Sequence, residues 1–257
     1  MMISGDPPED LSERQLLLYP GEQSLPLLDE GIDAFRKASR EGDHKDRLIG
    51  EGMLLTGLKP GTFAHMTEEW LEREGDRLFV RIPGDKVECV VSPGRRGRTT
   101  SGGGLPCKDC KRLRDGYWTL NGTLQPRRVP VPEPGFARFI EAYFATHDRV
   151  CTPGTVNHRL GKIGERAGFE KTVSGSNLRM TFGKMLAEKG FKSDVIRRVM
   201  GFRDNNQGKA MTQRYFILSE KHGNPVYHCE KETVSGAPCE REVFFPDRTC
   251  YLHDHES

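Results

Sequence analysis

The chain has 257 residues, with 39 lysines and arginines against 37 aspartates and glutamates and a formal charge of +2. A chain of that length can bury one sizeable core, or one core plus a small appendage. No stretch approaches the roughly 18 apolar residues of a membrane span, and the opening MMISGDPPED lacks the basic-then-apolar pattern of a secretion signal, so an intracellular location is expected.

Residues 1–25 are rich in proline, glycine and charge and read as a loosely ordered lead-in with one leucine patch, Leu16 to Leu18. Helical periodicity starts at Ile32 and Phe35 and returns at Leu48, Ile49, Gly52 and Met53, with Gly57 placed to stop the second helix. Leu78, Val80 and Ile82 then alternate with Phe79, Arg81 and Pro83. Gly84-Asp85 is a turn signal before Val87–Val91, so a hairpin in a two- or three-stranded sheet is expected. From about 92 to 117 the pattern dissolves into glycine, serine and arginine around Cys107-x-x-Cys110, an insertion whose length points to function or a metal tie. Arg127–Val131 resumes as a short strand.

Beyond it, Phe136, Phe139, Ile140, Tyr143 and Phe144 share one helical face, and Val156, Leu160 and Ile163 share the next. Gly190 and Gly201 sit where helices should end, and Ser193 is expected to cap a short helix over 194–200. After His222 the composition changes to a cysteine-bearing tail. The fold class expected is mainly α with a small antiparallel sheet (α+β), in three parts: 1–25, a main domain over 26–222 and a tail over 223–257.

Charge distribution says more than net charge. Arginine (25) outnumbers lysine (14) and clusters at Arg95-Arg96-Gly97-Arg98, Lys111-Arg112-Leu113-Arg114, Arg127-Arg128 and Arg197-Arg198. A guanidinium fork suits phosphate better than an ammonium does, and each cluster also has the plain reading of a solvated surface.

The most specific run is Ser176 to Phe202, SNLRMTFGKMLAEKGFKSDVIRRVMGF, followed thirteen residues later by Tyr215 in TQRY. Together with LLTGLKPGTFAHM (54–66) and WTLNGTLQPRRVP (118–130), it resembles the tyrosine recombinases, and within them the archaeal and archaeal-virus integrases. The resemblance spans roughly residues 25–220. It implies a DNA-binding recombinase-type domain in which a tyrosine attacks a phosphodiester to form a 3′-phosphotyrosyl link. In that chemistry two arginines grip the non-bridging oxygens, a lysine on a sheet turn protonates the departing 5′ oxygen, and histidines assist proton transfer. Carried over by position, Tyr215 matches the nucleophile and Arg179 the second arginine.

Four other positions depart from that pattern. Lys59 stands where the first arginine belongs, which keeps charge and loses the fork. Asn121 aligns with the sheet-turn lysine, Ser176 with the first histidine, and Phe202 with the histidine or tryptophan after the glycine. Thr62 replaces a glutamate that buttresses the first arginine. Lost proton transfer costs about 10²–10⁴-fold and a lost oxyanion donor about 10²–10³-fold. The implied function is therefore a duplex-DNA binder derived from an integrase, with cleavage reduced or lost, acting in recombination or integration as accessory or regulator. The alternatives are an active recombinase using Tyr215, with Lys59, Ser176 and a basic residue such as Lys86 standing in, and a protein-interaction scaffold. Expected phosphate contacts are Arg179, Lys59, Arg127 and the Arg95, Arg96, Arg98 loop. The family's N-terminal clamp does not fit in 25 residues, so an active recombinase or a second copy is expected to complete the grip. A nucleoid-associated location follows from the resemblance, which points toward an archaeal virus or mobile element and leaves the viral, plasmid or chromosomal origin open.

Seven cysteines in a reducing compartment read as metal ligands or buried thiols. Cys229, Cys239, Cys250 and His253 run C-x₉-C-x₁₀-C-x₂-H in a tail with little core of its own, a set that satisfies tetrahedral structural zinc. Cys89, Cys107 and Cys110 are a second set lacking an evident fourth ligand, and simple thiols are the other reading there.

Overall fold

The computed structural model describes residues 26–27, 29–89, 117–120, 124–221, 227–228 and 242–243. Its elements in chain order are α1 (Asp29–Glu41), α2 (His44–Thr56), α3 (Pro60–Ala64), a 3-10 turn (Glu68–Trp70), β1 (Leu71–Glu74), β2 (Arg77–Ile82), β3 (Val87–Glu88), β4 (Tyr117–Trp118) and β5 (Arg127–Val131). There follow α4 (Pro134–Phe144), α5 (Pro153–Arg166), α6 (Gly175–Glu188), α7 (Ser193–Met200), α8 (Asn206–Lys221), β6 (Tyr227–His228) and β7 (Glu242–Val243).

Helix α2 is the centre of the core. The Asp43 side chain accepts the Asp46 N–H to start it, and Gly57, in the left-handed region at φ 58°, ends it with its N–H on Met53 O. Every residue from Leu48 to Thr56 is buried, as a helix enclosed on all sides must be. Helices α1, α4, α5 and α6 and strand β5 enclose it. The sequence over this helix is nevertheless not uniformly apolar. Glu51 is fully buried and accepts from Arg36 at 3.3 Å, Arg47 at 3.0 Å and Arg40. Arg36 also donates to Glu133 at 2.5 Å, just ahead of α4. A carboxylate at the core is thus held by three guanidiniums, and the network joins α1, α2 and α4.

The sheet has order β1-β2-β5, antiparallel throughout, with Leu71 opposite Val80 and Ile82 opposite Arg127. Leu78, Val80 and Ile82 point into the core, as their alternation predicts. The expected hairpin between Leu78–Ile82 and Val87–Val91 does not form. Strand β1 and strand β5 occupy both edges of β2, and Val87–Glu88 pairs instead with Tyr117–Trp118. Trp118 anchors that small ladder by stacking on His65 and tilting against Trp70. Helix α7 begins at Ser193 itself, with Lys192 in the cap position and no side-chain cap, one residue from the expected arrangement. Among the described residues no helix is long and apolar enough to cross a membrane.

Candidate functional site

Three helix ends converge on Arg179. Helix α6 is started by a capping box in which the Ser174 hydroxyl accepts the Asn177 N–H and Asn177 reaches back to the Ser174 N–H. That start puts Arg179 in the second turn, facing inward and 8% exposed. Its Nη1 donates to Gly57 O at 2.5 Å, at the end of α2, and its Nη2 to Met200 O at 2.6 Å, at the end of α7. A cation at two helix C-termini meets the negative ends of both dipoles. Burial pulls its pKa down, and the phenolic oxygen of Tyr215 pulls the other way.

Arg127 approaches the same place from β5. Its Nε donates to Val199 O at 2.8 Å and its Nη1 to Gln125 O at 3.4 Å. Burial, then the charge of Arg179, push its pKa down to about 9, opposed by Tyr215. Among the described residues neither guanidinium forms an ion pair with a carboxylate. The segment before β5 is sewn to the loop after α7: Leu124 bridges Phe202, the Gln125 N–H donates to Gly201 O, and Gln125 Nε2 donates to Phe202 O.

Tyr215 lies on α8, 1% exposed, its ring stacked with Phe202 at 6.4 Å between centroids and 22° between planes. The Arg179 guanidinium sits 5.1 Å from the Phe202 ring centre. Phe202 is itself buried, so the position that the resemblance gives to a proton-carrying or indole ring packs as apolar surface between the arginine and the tyrosine.

Lys59 caps the start of α3 two residues after Gly57 and is exposed. The α3 and α6 starts meet closely, since a Cβ on Gly175 would run into the Pro60 ring. Ser176 is exposed beside that contact, and Thr62 is buried. The structure therefore brings Arg179, Arg127, Tyr215 and Phe202 together, with the contact beneath Lys59 and Ser176 adjoining the same helix ends. Lys86 is exposed and opens on a cavity of about 660 Å³ also lined by Thr67, Arg81, Asp85, Glu88 and Arg149.

Sequence reasoning expected Arg127 only as a surface phosphate contact. Its burial was signalled by strand alternation: Arg127 shares its face with Val129 and Val131, while Arg128 points out to Glu72, Glu74 and the Phe79 ring. Cys89 is buried. Arg95, Arg96, Arg98, Asn121, Cys107, Cys110, Cys229, Cys239, Cys250 and His253 lie outside the described residues. Among the described residues no three metal-ligating side chains cluster.

No protein-family model and no curated protein matches the chain. Solved structures do match its fold. The XerA recombinase superimposes with a TM-score of 0.51 at 14% identity, over 80% of this chain and 68% of that one. The Tn1549 transposon integrase in complex with a circular intermediate DNA gives 0.53 at 16% identity, over 84% and 65%. The XerH site-specific recombinase bound to difH substrate gives 0.50 at 12% identity, over 77% and 52%. The chain thus spans between about half and two thirds of these proteins. Its mainly helical architecture with small antiparallel sheets is the fold of the tyrosine recombinase catalytic domain.

Proposed function

We propose that this chain binds duplex DNA through the face where α2 and α7 end and α6 begins, as a recombinase-type protein whose strand cleavage is reduced or lost. The observation that carries the reading is Arg179. It is a buried guanidinium beside Tyr215, fixed by two backbone carbonyls and facing no carboxylate among the described residues. A cation buried without an anion of its own is stabilised by one brought from outside, and a DNA phosphate has the right charge and oxygen geometry. Lys59 and the Arg95–Arg98 run are the further phosphate contacts on this reading. The solved structures of the same fold that hold DNA support it.

Cleavage would require the Tyr215 oxygen to bond phosphorus while the P–O5′ bond breaks, with the phenolic proton leaving and the 5′ oxygen gaining one. Phe202 supplies neither a donor nor an acceptor for these transfers, and Ser176 is no acid near neutral pH. A second reading, an active recombinase, is favoured by the placing of Tyr215 and Arg179 on the same Phe202 ring.

Nicked duplexes that trap a covalent intermediate separate the two. A gel shift that weakens steeply with salt, with no SDS-resistant adduct and no change in Tyr215→Phe, is the expected result. An adduct lost in that variant would establish cleavage by Tyr215, and the absence of any salt-sensitive shift would sink DNA binding altogether.

The 223–257 tail is proposed to hold structural zinc through Cys229, Cys239, Cys250 and His253. Antiparallel pairing of Tyr227–His228 with Glu242–Val243 supports this, because the segment joining those strands carries Cys229 and Cys239. An active recombinase or a second copy of the chain is the proposed partner on DNA.

A further inference from the structure

We propose that Arg127, rather than Lys59, supplies the second guanidinium of this site, so that Arg127 and Arg179 together bind one backbone phosphate beside Tyr215. The inference rests on the DNA-binding reading above and names the groups that would hold the phosphate.

Two like charges share a buried place here. Each arginine is anchored along one edge by main-chain carbonyls, Arg127 on Val199 O and Gln125 O, Arg179 on Gly57 O and Met200 O. They are neighbours, because the carbonyls that anchor them, Val199 O and Met200 O, are consecutive. Neither has an anionic partner among the described residues. By contrast, the buried Arg36 is neutralised by Glu51 and Glu133, and the more exposed Arg159 and Arg166 are paired with Asp46. The Arg127–Arg179 pair thus differs from Arg36 in having no carboxylate among the described residues.

The carbonyl anchors do not exhaust the donors. Arg127 commits Nε and Nη1, and its Nη2 makes no bond within the described residues. Each Nη of Arg179 carries a second N–H beyond the one it gives to a carbonyl. What remains is a set of charged N–H groups from two rigidly held forks, a donor set suited to a tetrahedral oxyanion. Lys59 is a poorer candidate on geometry as well as chemistry. It is exposed at the start of α3, with a flexible stem and a single ammonium.

A structural account also exists: both arginines satisfy carbonyls at the end of α7 and would do so with no ligand. The test must therefore separate the anion from the clamp. Arg127→Lys, Arg127→Gln and Lys59→Ala are compared with the unaltered chain in two assays. The first follows inorganic phosphate and orthovanadate binding by thermal shift, at constant ionic strength, so that general salting effects are common to all. The second follows duplex affinity against salt concentration. Arg127→Lys keeps a donor for the carbonyls but not the fork.

The expected result is that both Arg127 variants weaken oxyanion binding by roughly ten- to a hundredfold, the range for one charge-assisted hydrogen bond. The slope of log affinity on log salt should also fall by about 0.9, one phosphate contact, in Arg127→Gln. Lys59→Ala should weaken oxyanion binding by less than either Arg127 variant does, because on this reading Lys59 meets a different phosphate, and an equal or greater loss there would return the second place to Lys59 and overturn the proposal. Arg127 variants with a lower melting temperature but unchanged oxyanion affinity would overturn the proposal and leave Arg127 a helix-end clamp. Oxyanion binding that depends on Arg127, in a chain that shifts no DNA, would keep the two-arginine site and remove only the DNA reading.

Discussion

Tyr215 is seated against main chain. A Cβ placed on Gly183 of α6 would collide with three atoms of the Tyr215 ring, so the absence of a side chain at 183 is what lets α8 bring the phenol against α6. The other side of the ring meets Phe202. Gly183→Ala should raise intrinsic helix propensity by up to about 1 kcal/mol, yet force the ring outward at an overpacking cost of about 1–3 kcal/mol. A net loss of stability in denaturant titration is expected, and a gain would show that the tyrosine moves freely. Tyr215 and Arg179 were legible in the sequence through the resemblance, from the order of their motifs with the Gly57 turn and the Gly201 helix end. The inward placing of Arg127 was not, because an Arg-Arg pair reads as surface charge until strand alternation assigns one member inward. Phe202 was readable as a packing residue, since no other role suits a benzyl ring between an arginine and a tyrosine.

At the scale of elements, the end of α7 concentrates the long-range hydrogen bonds of the site. The carbonyls of Val199, Met200, Gly201 and Phe202 accept, in order, from Arg127, Arg179, the Gln125 N–H and Gln125 Nε2. Val199 O and Met200 O are two of the carbonyls that the helix terminus leaves open, and β5 and α6 satisfy them, while Gly201 and Phe202 beyond it are held by the approach to β5. Gly201, left-handed at φ 74°, turns the chain there, and a Cβ on it would strike the Arg127 guanidinium. On the far side of the core the Glu51 network does comparable work for α1, α2 and α4. Glu51→Gln removes the charge while Arg40 and Arg47, about a third exposed, can turn to water and Arg36 retains Glu133. A loss of about 3 kcal/mol is expected, the low end for breaking a buried pair, measured by urea unfolding. A loss under about 1 kcal/mol would mean that the carboxylate is not needed at the core. The helices around this network were legible from apolar spacing. The β1 strand, Leu-Glu-Arg-Glu, was not, because an edge strand whose last two residues are exposed and whose one apolar residue is Leu71 carries little hydrophobic signal. The pairing of β3 with β4 joins segments about 30 residues apart, which turn residues alone cannot announce.

For the whole molecule, the described elements from α1 to α8 close around α2 without using any of the four proposed zinc ligands. The core that seats Arg127, Arg179 and Tyr215 is built from α2, α6, α7, α8 and β5, so its stability should be independent of metal in the tail. Removal of zinc by a strong chelator, followed by elemental analysis, should release about one ion per chain, as a closed four-ligand site requires. The main helical transition should then shift by no more than about 2–4 °C, the equivalent of roughly 1 kcal/mol for a domain of this size. Cys239→Ser should reproduce the loss of metal and leave that transition equally unmoved. A collapse of the helical signal on chelation would mean that the tail completes the core, and that the phosphate site depends on metal for its shape. A zinc-free tail that leaves folding intact but abolishes the gel shift would instead place part of the DNA grip in residues 223–257.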